Sequence, residues 1–509
     1  MLFNSYTFLF FYLPIVFAVF FWIGNTSHRH AALWLVVASL FFYGWWNPAY
    51  VLLLLASIGF NYGMAYAIAR ARNATAGAPL FGRGAAGRAT FVAVFANLAL
   101  LAYFKYANFF LSTANQLGEF GWMRADIILP LGISFFTFTQ IAFLIDTHRG
   151  IAREYNFVSY ALFVTYFPHL IAGPLLHHKQ VMPQFSSADT YRINLENVGL
   201  GLSIFTLGLF KKVVLADQFA LYANPVFDAV AAGGEPKMVE AWIGILAYSL
   251  QLYFDFSGYS DMAIGLSKMF NVNLPINFNS PYKALSIIDF WRRWHMTLSE
   301  FLRDYLYIPL GGNRHGRLRR YAALSVTMLL GGLWHGANWT FVVWGGLHGV
   351  YLIINHAWRA VIARTSGRKI PGSRLLSAML TMLAVVVAWV PFRAASLGDA
   401  GKILHGMAGL HGLSLPARLE APLEALARFG VEFKGATPLT SLANTEAVVW
   451  LVLGFVVVRA LPNTMAASVY LSRPTAGWQG ALKAVIVAVL MAVAILNINK
   501  TSPFLYFNF

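Results

Sequence analysis

Long apolar runs recur along the chain and are separated by short polar stretches. A helix that crosses a bilayer needs about 20 mainly apolar residues. Reading each run as a membrane helix predicts spans near residues 6–24, 31–48, 50–69, 90–112, 127–146, 157–175, 196–215, 240–257, 321–339, 341–358, 376–394, 447–461 and 482–499. The pattern therefore predicts an all-α polytopic membrane protein with about 11–13 transmembrane helices.

Two stretches interrupt this repetition. Residues 261–310 contain three prolines and several charges, which predicts short helices and a re-entrant element, because irregular backbone at membrane depth must be shielded by protein or water. Residues 395–446 have a mixed charge, and apolar and charged residues alternate over 416–429. This alternation predicts a helix there, either amphipathic on the membrane surface or solvated in a loop.

The composition agrees with insertion into a membrane. Hydrophobic residues make up 58% of the 509 residues, charged residues make up 11%, and the mean hydropathy is +0.60. Soluble domains are about half apolar and a quarter charged. The absence of cysteine excludes disulfides, thiolate metal sites and a cysteine nucleophile. We expect a single membrane domain over residues 1–509.

The net charge of +17 lies largely in short loops between the apolar runs. Basic loops mark the cytoplasmic side of membrane proteins, so the charge predicts topology and contact with membrane lipids, and no nucleic-acid partner is expected. Counting spans from these loops places both termini on the opposite side, the periplasm if the membrane is a bacterial inner membrane. The basic residues of the loops include Arg70, Arg72, Arg83, Arg88, Arg317, Arg319, Arg320, Arg359, Arg364 and Arg374.

A histidine within the apolar run 321–339 is the first candidate for chemistry. His335 stands between Trp334 and Gly336, and an ionisable group at membrane depth is by default a functional candidate. Histidine has an unperturbed pKa of about 6.5, so it can take up and then release a proton near neutral pH. A core histidine bonded to a neighbouring carbonyl is the structural alternative, and the sequence leaves both open.

A second histidine ends a dense polar and aromatic block. His295 belongs to Trp-Arg-Arg-Trp-His-Met-Thr-Leu-Ser, residues 291–299. Trp291 and Trp294 are suited to anchor the chain at the membrane interface, and the arginines between them to snorkel. That interpretation leaves His295 and Asp289 unexplained, so His295 is the second candidate.

These two histidine motifs resemble the membrane-bound O-acyltransferase (MBOAT) superfamily and, within it, the AlgI-type alginate O-acetylation proteins. Gly-Gly-Leu-Trp-His-Gly-Ala around His335 and the block around His295 are the most specific parts. The resemblance extends in the same order over nearly the whole chain, through residues 1–5, 130–138, 167–174, 253–263 and 307–314.

The resemblance implies helices around a central funnel and an enzyme that moves an acyl group from a cytoplasmic thioester, such as acetyl-CoA, towards an alginate-like polysaccharide. It implies that His335 is the main catalytic histidine and His295 the second catalytic position. No tightly bound cofactor is expected, because a thioester is already activated and needs mainly alignment and proton removal. The catalytic core would span about residues 90–360, followed by helices and an external loop over 376–500.

Arginines near the motifs are candidates for donor binding. Arg292, Arg293, Arg314 and Arg317 lie on the predicted cytoplasmic side and are suited to hold the phosphates of coenzyme A or of a carrier protein's phosphopantetheine. Contact with anionic lipids explains any single arginine equally well. Asp255 and Asp261 are interpreted as groups that line the funnel or cap a helix at a span end.

The chain closes on an aromatic tail, residues 501–509, which resembles the Phe-x-Tyr-Phe ending of AlgI-type proteins. The resemblance implies that Tyr506 accepts the acyl group and passes it to a periplasmic Ser-His-Asp O-acetyltransferase partner. An aromatic anchor at the outer interface is the alternative.

Other functions are weighed against this one. Cellulose, another glycan, a protein or a lipid as acceptor would need the same fold and mechanism. A secondary transporter would place its site in the broken segment 261–311, but such proteins commonly show an internal repeat, and none is found. No metal site is expected, because His177 and His178 lack the cysteine and carboxylate neighbours that such sites use.

Overall fold

The computed structural model describes residues 1–74, 84–118, 120–123, 127–152, 156–314, 316–362, 372–416, 419–434, 445–473, 475, 477–498 and 504–505. Helices dominate these residues. The α-helices are α1 (Leu13–Gly24), α2 (His28–Gly44), α3 (Ala49–Ala74), α4 (Ala85–Leu101), α5 (Ala107–Gly118), α6 (Ile133–Arg149), α7 (Phe157–Thr165), α8 (Phe167–Leu170), α9 (His178–Phe185), α10 (Leu195–Phe210), α11 (Asp217–Ala231), α12 (Met238–Met269), α13 (Ile287–Trp291), α14 (Met296–Leu302), α15 (Gly316–His335), α16 (Trp339–Ile362), α17 (Ser373–Arg393), α18 (Leu397–Met407), α19 (Glu420–Leu423), α20 (Thr445–Ala460), α21 (Thr464–Ser472) and α22 (Trp478–Asn497).

Shorter elements link these helices. Turns of π-helix cover Phe8–Tyr12, Ala102–Tyr106, Lys211–Ala216 and Arg303–Tyr307, and 3₁₀ turns cover Ala188–Tyr191, Pro281–Lys283 and Glu424–Phe429. Two strands, β1 (Leu413–Pro416) and β2 (Val431–Lys434), pair in parallel with Leu413 opposite Val431. The prediction of an all-α polytopic membrane protein is confirmed, since this small ribbon is the only sheet among the described residues.

Several helices have the length and composition of membrane spans. Among the described residues five meet both criteria alone, and a sixth results if Glu446–Ala460 and Thr464–Ser472 count as one span. The five are Ala49–Asn73, Ala85–Gly118, Leu195–Ala231, Ser373–Arg393 and Trp478–Asn497. The predicted count of about 11–13 spans is not reached by length and composition among the described residues and stays a prediction.

The predicted span over residues 157–175 is not one continuous helix. It divides into α7 and α8 at Tyr166, whose backbone leaves the helical region with φ −48° and ψ 109°. Pro168 follows within the first turn of α8, and the missing amide hydrogen of proline cannot continue the hydrogen-bond ladder of α7. Local apolarity alone did not reveal this break.

The interruption of the helical pattern, predicted to begin at residue 261, begins after Met269. Helix α12 runs through Asp255 and Asp261 to Met269, so neither carboxylate caps a helix end. The capping interpretation was wrong, and lining of the funnel stays a prediction. Beyond α12 the chain forms the predicted series of short helices, from Pro281–Lys283 to Arg303–Tyr307. Asp255 can be buried within α12 because the ammonium of Lys212, 2.7 Å away, compensates its charge.

The helix predicted over residues 416–429 forms only in part, as consecutive α and 3₁₀ turns over residues 420–429. Residues 413–416 are strand β1, one turn of α-helix covers Glu420–Leu423, and a 3₁₀ turn covers Glu424–Phe429. Gly430 then adopts a left-handed conformation, φ 80°, before strand β2. Parallel strands need a crossover connection, which is commonly helical, and these helical turns lie within the connection between β1 and β2.

The chain divides into two compact units. Unit 1 comprises Met1–Leu209, Tyr259–Ile276 and Thr464–Ile498, and unit 2 comprises Phe210–Gly258, Asn277–Asn463 and Asn499–Phe509. Unit 1 has an aromatic core in which the ring of Phe42 lies 5.5 Å from that of Phe3 and 5.7 Å from that of Phe167. Unit 2 contains both candidate histidines. The single membrane domain and the central funnel stay predictions.

Candidate active site

Two glycines bring helices α15 and α16 of unit 2 into backbone contact. A Cβ atom on Gly345 would overlap the carbonyl oxygen of Met328, and one on Gly332 would overlap the carbonyl oxygen of Phe341. Glycine at both positions therefore permits the close approach. The crossing lies one turn before the end of α15, so it fixes where the last residue of that helix, His335, is held.

We expect Gly345→Ala to lower both thermal stability and acyl-transfer activity. Its methyl group would meet the backbone of Met328, and overpacking of this kind typically costs about 1–3 kcal/mol. Gly346→Ala is the matched control, because its Cβ would make only an ordinary contact, 3.6 Å from the side chain of Leu329. Thermal unfolding and turnover of both variants test this prediction, which fails if the two variants behave alike.

His335 lies within a box of aromatic rings. The centre of its ring is 4.9 Å from that of Trp334, 5.0 Å from that of Trp344 and 5.3 Å from that of Phe392. The residue is only 4% exposed. Such a site excludes water, which strengthens electrostatic interactions and protects a reactive acyl group from hydrolysis. His335 therefore does not face the lipid.

His295 lies beside His335. The two ring centres are 6.4 Å apart, and His295 is completely buried. It precedes α14 with a left-handed backbone, φ 43° and ψ 55°. This conformation is uncommon for a residue with a side chain, and strained positions of this kind cluster at functional sites. The structure thus brings the two sequence-predicted histidines within reach of one bound acyl group.

Asn277 fixes the protonation pattern of His295. Its Oδ1 accepts hydrogen bonds from the backbone N–H of Thr297 at 3.3 Å and from the hydroxyl of Thr297 at 3.0 Å. A backbone N–H can only donate, so the atom facing it must be the amide oxygen. The same oxygen lies 3.0 Å from Nδ1 of His295. Nδ1 therefore carries the proton, and Nε2 of the neutral ring presents its lone pair.

Burial also keeps His295 neutral. It lies in the segment between the spans, where loss of solvation lowers the pKa of its imidazole to about 3. A charged imidazolium would lose hydration that the apolar surroundings do not replace. His295 thus remains uncharged over the range in which an unperturbed histidine titrates.

A third histidine was missed by the sequence reasoning. His348 is completely buried, accepts a hydrogen bond at Nδ1 from the indole of Trp291 at 3.3 Å, and lies with its ring 4.9 Å from that of Trp344. Trp344 thus separates His348 from His335. A signal was present, because Gly-Gly-Leu-His-Gly at 345–349 resembles Gly-Gly-Leu-Trp-His-Gly at 331–336. Asn277 offered no such signal.

The predicted donor-binding arginines have different surroundings. Arg293 is half-buried, and its guanidinium binds the carboxylate of Asp289 at 2.9 Å and the carbonyl of Asn279 at 3.3 Å. Arg292 and Arg314 are exposed. Arg293 therefore braces the segment that carries His295, whereas the other two present charge to the solvent or to lipid. Donor binding by all three stays a prediction.

Two residues of the aromatic tail, Phe504 and Leu505, are buried in unit 2. Phe504 and Leu505 are 2% and 8% exposed, and the backbone N–H of Leu505 donates to Oδ2 of Asp255 at 3.1 Å. These two residues therefore do not lie on the surface as an interfacial anchor would. Tyr506 itself lies outside the described residues.

Comparison with known proteins extends the resemblance to the whole sequence. Residues 97–390 match the profile of MBOAT, the membrane-bound O-acyltransferase family. The chain is 44% identical over 443 residues to the peptidoglycan O-acetyltransferase of Helicobacter pylori, covering 82% of this chain and 81% of that protein. It is 38% identical over 528 residues to the probable alginate O-acetylase AlgI of Azotobacter vinelandii, and the alignment covers 100% of each chain.

A more distant match points to the same kind of chemistry. The teichoic acid D-alanyltransferase of Streptococcus thermophilus is 30% identical over 236 residues, which cover 45% of this chain and 57% of that protein. The resemblance inferred from the motifs is confirmed by these matches.

Proposed function

The chain belongs to the membrane-bound O-acyltransferase family, and from this premise we propose that it moves an acetyl group from a cytoplasmic thioester, such as acetyl-CoA, across a bacterial inner membrane for O-acetylation of a polysaccharide. That it is a multi-pass membrane enzyme of the acyltransferase class follows from the family. A secondary transporter is accordingly not supported. The observation that carries the finer proposal is the buried pair His295 and His335.

The two histidines lie at helix ends of opposite polarity. His335 is the last residue of α15, and His295 directly precedes α14. The carbonyl end of a helix carries partial negative charge and the amide end partial positive charge. A positive charge that develops during proton uptake is therefore favoured at His335 and disfavoured at His295. This polarity supports His335 as the general base.

In the proposed reaction, one proton moves from the acceptor to His335 and then from His335 to the departing thiolate. His335 takes the proton from the acceptor hydroxyl as its oxygen attacks the thioester carbonyl carbon. The tetrahedral intermediate collapses with cleavage of the carbon–sulfur bond, and the imidazolium of His335 returns the proton to the departing thiolate. The products are an ester and a free thiol, so no metal or oxidant enters the balance.

His295 is suited to orientation, not to acid catalysis. With Nδ1–H donated to Asn277, the remaining nitrogen can only accept a hydrogen bond. A pKa of about 3 makes the ring a weak base, and efficient general bases have a pKa near the working pH. We therefore assign to His295 the alignment of a hydroxyl or amide donor of the substrates.

We expect Asn277→Asp to introduce an acid limb into the pH profile. A carboxylate would accept the same three hydrogen bonds, but its negative charge would stabilise the imidazolium and raise the pKa of His295 from about 3. As the pH falls through the raised pKa, Nε2 becomes protonated and activity is lost. The wild-type protein should show no such loss from His295 between about pH 5 and 8.

Acyl-transfer rates measured across that range test the assignment. Asn273→Asp serves as the control, because Asn273 is exposed and bonds to Gln184. Superimposable profiles for wild type and Asn277→Asp would show that the charge of His295 does not matter to catalysis.

On the outer side we propose that Tyr506 is the first acceptor. A phenol has a pKa of about 10, so its proton is removed more readily than that of a sugar hydroxyl. Its ester is correspondingly a better leaving group in a second transfer, which we assign to a periplasmic Ser-His-Asp partner. Arg292, Arg293 and Arg314 are proposed to hold the phosphates of the donor.

Two glycans are the best-supported acceptors of the acetyl group. Relatives named alginate O-acetylase support an alginate-like polymer, and the relative that is 44% identical supports peptidoglycan. Removing the gene and measuring base-released acetate in each glycan fraction distinguishes them, with cellulose as a third arm. Re-expression of the wild-type chain must restore the lost ester. If every fraction keeps its acetate and membranes show no transfer from labelled acetyl-CoA, the proposal is wrong.

A further inference from the structure

A buried ion cluster lies in unit 2 apart from the two histidines. Nζ of Lys212 is 3.0 Å from Oδ1 of Asp217 and 2.7 Å from Oδ1 of Asp255, and the three side chains are at most 8% exposed. One ammonium thus faces two carboxylates. Charges in such surroundings are costly, and an apolar replacement of similar volume is often no less stable. The cluster therefore calls for an explanation beyond stability.

The backbone around Lys212 is also irregular. It belongs to the π-helical turn Lys211–Ala216, between α10 and α11. Single π turns within α-helices are rare and are frequently found at functional sites. The turn places the lysine beside Asp255 of α12, a residue on another helix. Two unusual features, a buried charge and a π turn, thus converge on one carboxylate.

The two oxygens of Asp255 have different partners. Oδ1 binds Lys212, whereas Oδ2 accepts the backbone N–H of Leu505, a residue 250 positions away in sequence. Lys212 fixes the orientation of the carboxylate, and the second oxygen is thereby aimed at the tail. A hydrogen bond from a neutral donor to an ionised acceptor is stronger than one between neutral groups.

An aromatic path connects this contact to the catalytic pair. The ring of Phe504 lies 6.2 Å from that of Phe256, and the ring of Phe256 lies 4.8 Å from that of His295 at an angle of 89°. Phe256 directly follows Asp255. On α12, the carboxylate of Asp255 therefore contacts Leu505. The ring of the next residue, Phe256, contacts both Phe504 and His295.

We propose that Asp255, oriented by Lys212, is the docking point of the chain's own C-terminal tail and positions it for acylation. This inference rests on the proposed acyl transfer to Tyr506, the residue that follows Leu505. Asp255 is a positioning residue, since it touches the tail and not the reacting atoms. Because it binds a backbone N–H, the hydrogen bond does not depend on the side chain at 505, and the burial of Phe504 and Leu505 supplies the apolar contact.

Hydrogen–deuterium exchange of the full-length protein in lipid nanodiscs tests docking directly, because the amide that exchanges is the amide that Asp255 binds. Asp255→Asn has a single acceptor oxygen, which can face Lys212 or Leu505 but not both. We expect the amide of Leu505 to exchange about tenfold faster or more, as an opened segment does. The KM for the thioester should be unchanged while kcat for acylation of the tail falls.

A triple variant guards against misfolding. Lys212→Met with Asp217→Asn and Asp255→Leu removes all three buried charges together, which commonly preserves folding, and should expose the Leu505 amide in the same way. Asp228→Asn is the control, because that carboxylate is 71% exposed and lies 3.6 Å from Arg393. It should leave exchange at Leu505 unchanged.

The outcomes separate docking from the proposed function. Unchanged protection of the Leu505 amide in both the single and the triple variant overturns the docking role, whatever the activity. Faster exchange with unchanged kcat for tail acylation also overturns the positioning role. If the wild-type tail never carries label from acetyl-CoA, acyl transfer to Tyr506 is wrong, yet the exchange measurement still decides whether Asp255 holds the tail.

Discussion

Replacing His335 with alanine is expected to reduce acyl transfer by about 10²–10⁴-fold, the usual contribution of a general base. The side chain lies at the end of α15 within a box of aromatic rings and is 4% exposed, so bulk water has little access to replace it as the proton acceptor. The helix itself should persist, because alanine has the highest helix propensity. Turnover of labelled acetyl-CoA by the purified variant, together with its thermal unfolding, measures both effects.

An exposed histidine provides the control for this variant. His405 is on the surface of unit 2 near the end of α18, and His405→Ala should keep wild-type turnover. His335→Gln tests the chemistry separately from the shape, since an amide fills much of the same volume but is not a base. Wild-type turnover in His335→Ala would make this residue a structural histidine and would remove the proposed mechanism.

Replacing Tyr506 with phenylalanine is expected to stop O-acetylation of the glycan. The change deletes only the phenolic oxygen, so the ring and the backbone of the tail are kept. Docking through the Leu505 amide should therefore persist, because that bond involves Asp255 and no tyrosine atom. Base-released acetate from the glycan and the acetyl content of the C-terminal peptide measure the two transfers that the relay requires.

Tyr470→Phe is the matched control. Tyr470 is 67% exposed on α21, where its ring contacts the ammonium of Lys483 at 4.5 Å, and loss of its hydroxyl should leave acetylation intact. Full acetylation of the glycan in cells that carry Tyr506→Phe would show that another hydroxyl accepts the acyl group. The histidine pair would then act on the glycan or on a partner directly.

The division of roles between the histidines also bears on substrate choice. His295 is locked in one tautomer and kept neutral, and His335 lies where positive charge is favoured. Neither property depends on which hydroxyl attacks. Under the proposed mechanism the reacting pair does not select the acceptor, and the similar proteins are named for alginate, peptidoglycan and teichoic acid. The acceptor would then be selected outside the reacting pair.

The two catalytic candidates could be named from the sequence because residue type and local context suffice for that step. An ionisable group in an apolar run is unusual wherever it occurs, and His335 showed this directly. The hydrogen-bond partner of His295 could not be named from the sequence. Asn277 lies 18 residues before His295 in an ordinary polar stretch, and its role depends on the chain returning to place one oxygen against three donors.

The sequence by itself determined that this protein is an all-α membrane protein, because hydropathy acts locally and a bilayer sets the length of each apolar run. That it is an acyltransferase followed from the resemblance of its histidine motifs to a known family. Tertiary structure alone decided where helices break and where charges are tolerated. Tyr166 divides a run that looked continuous, and Asp255 is tolerated inside α12 because Lys212 and the amide of Leu505 are partners of its buried carboxylate. The free energy of a buried polar group depends on partners that are distant in sequence, and only the folded chain brings them together.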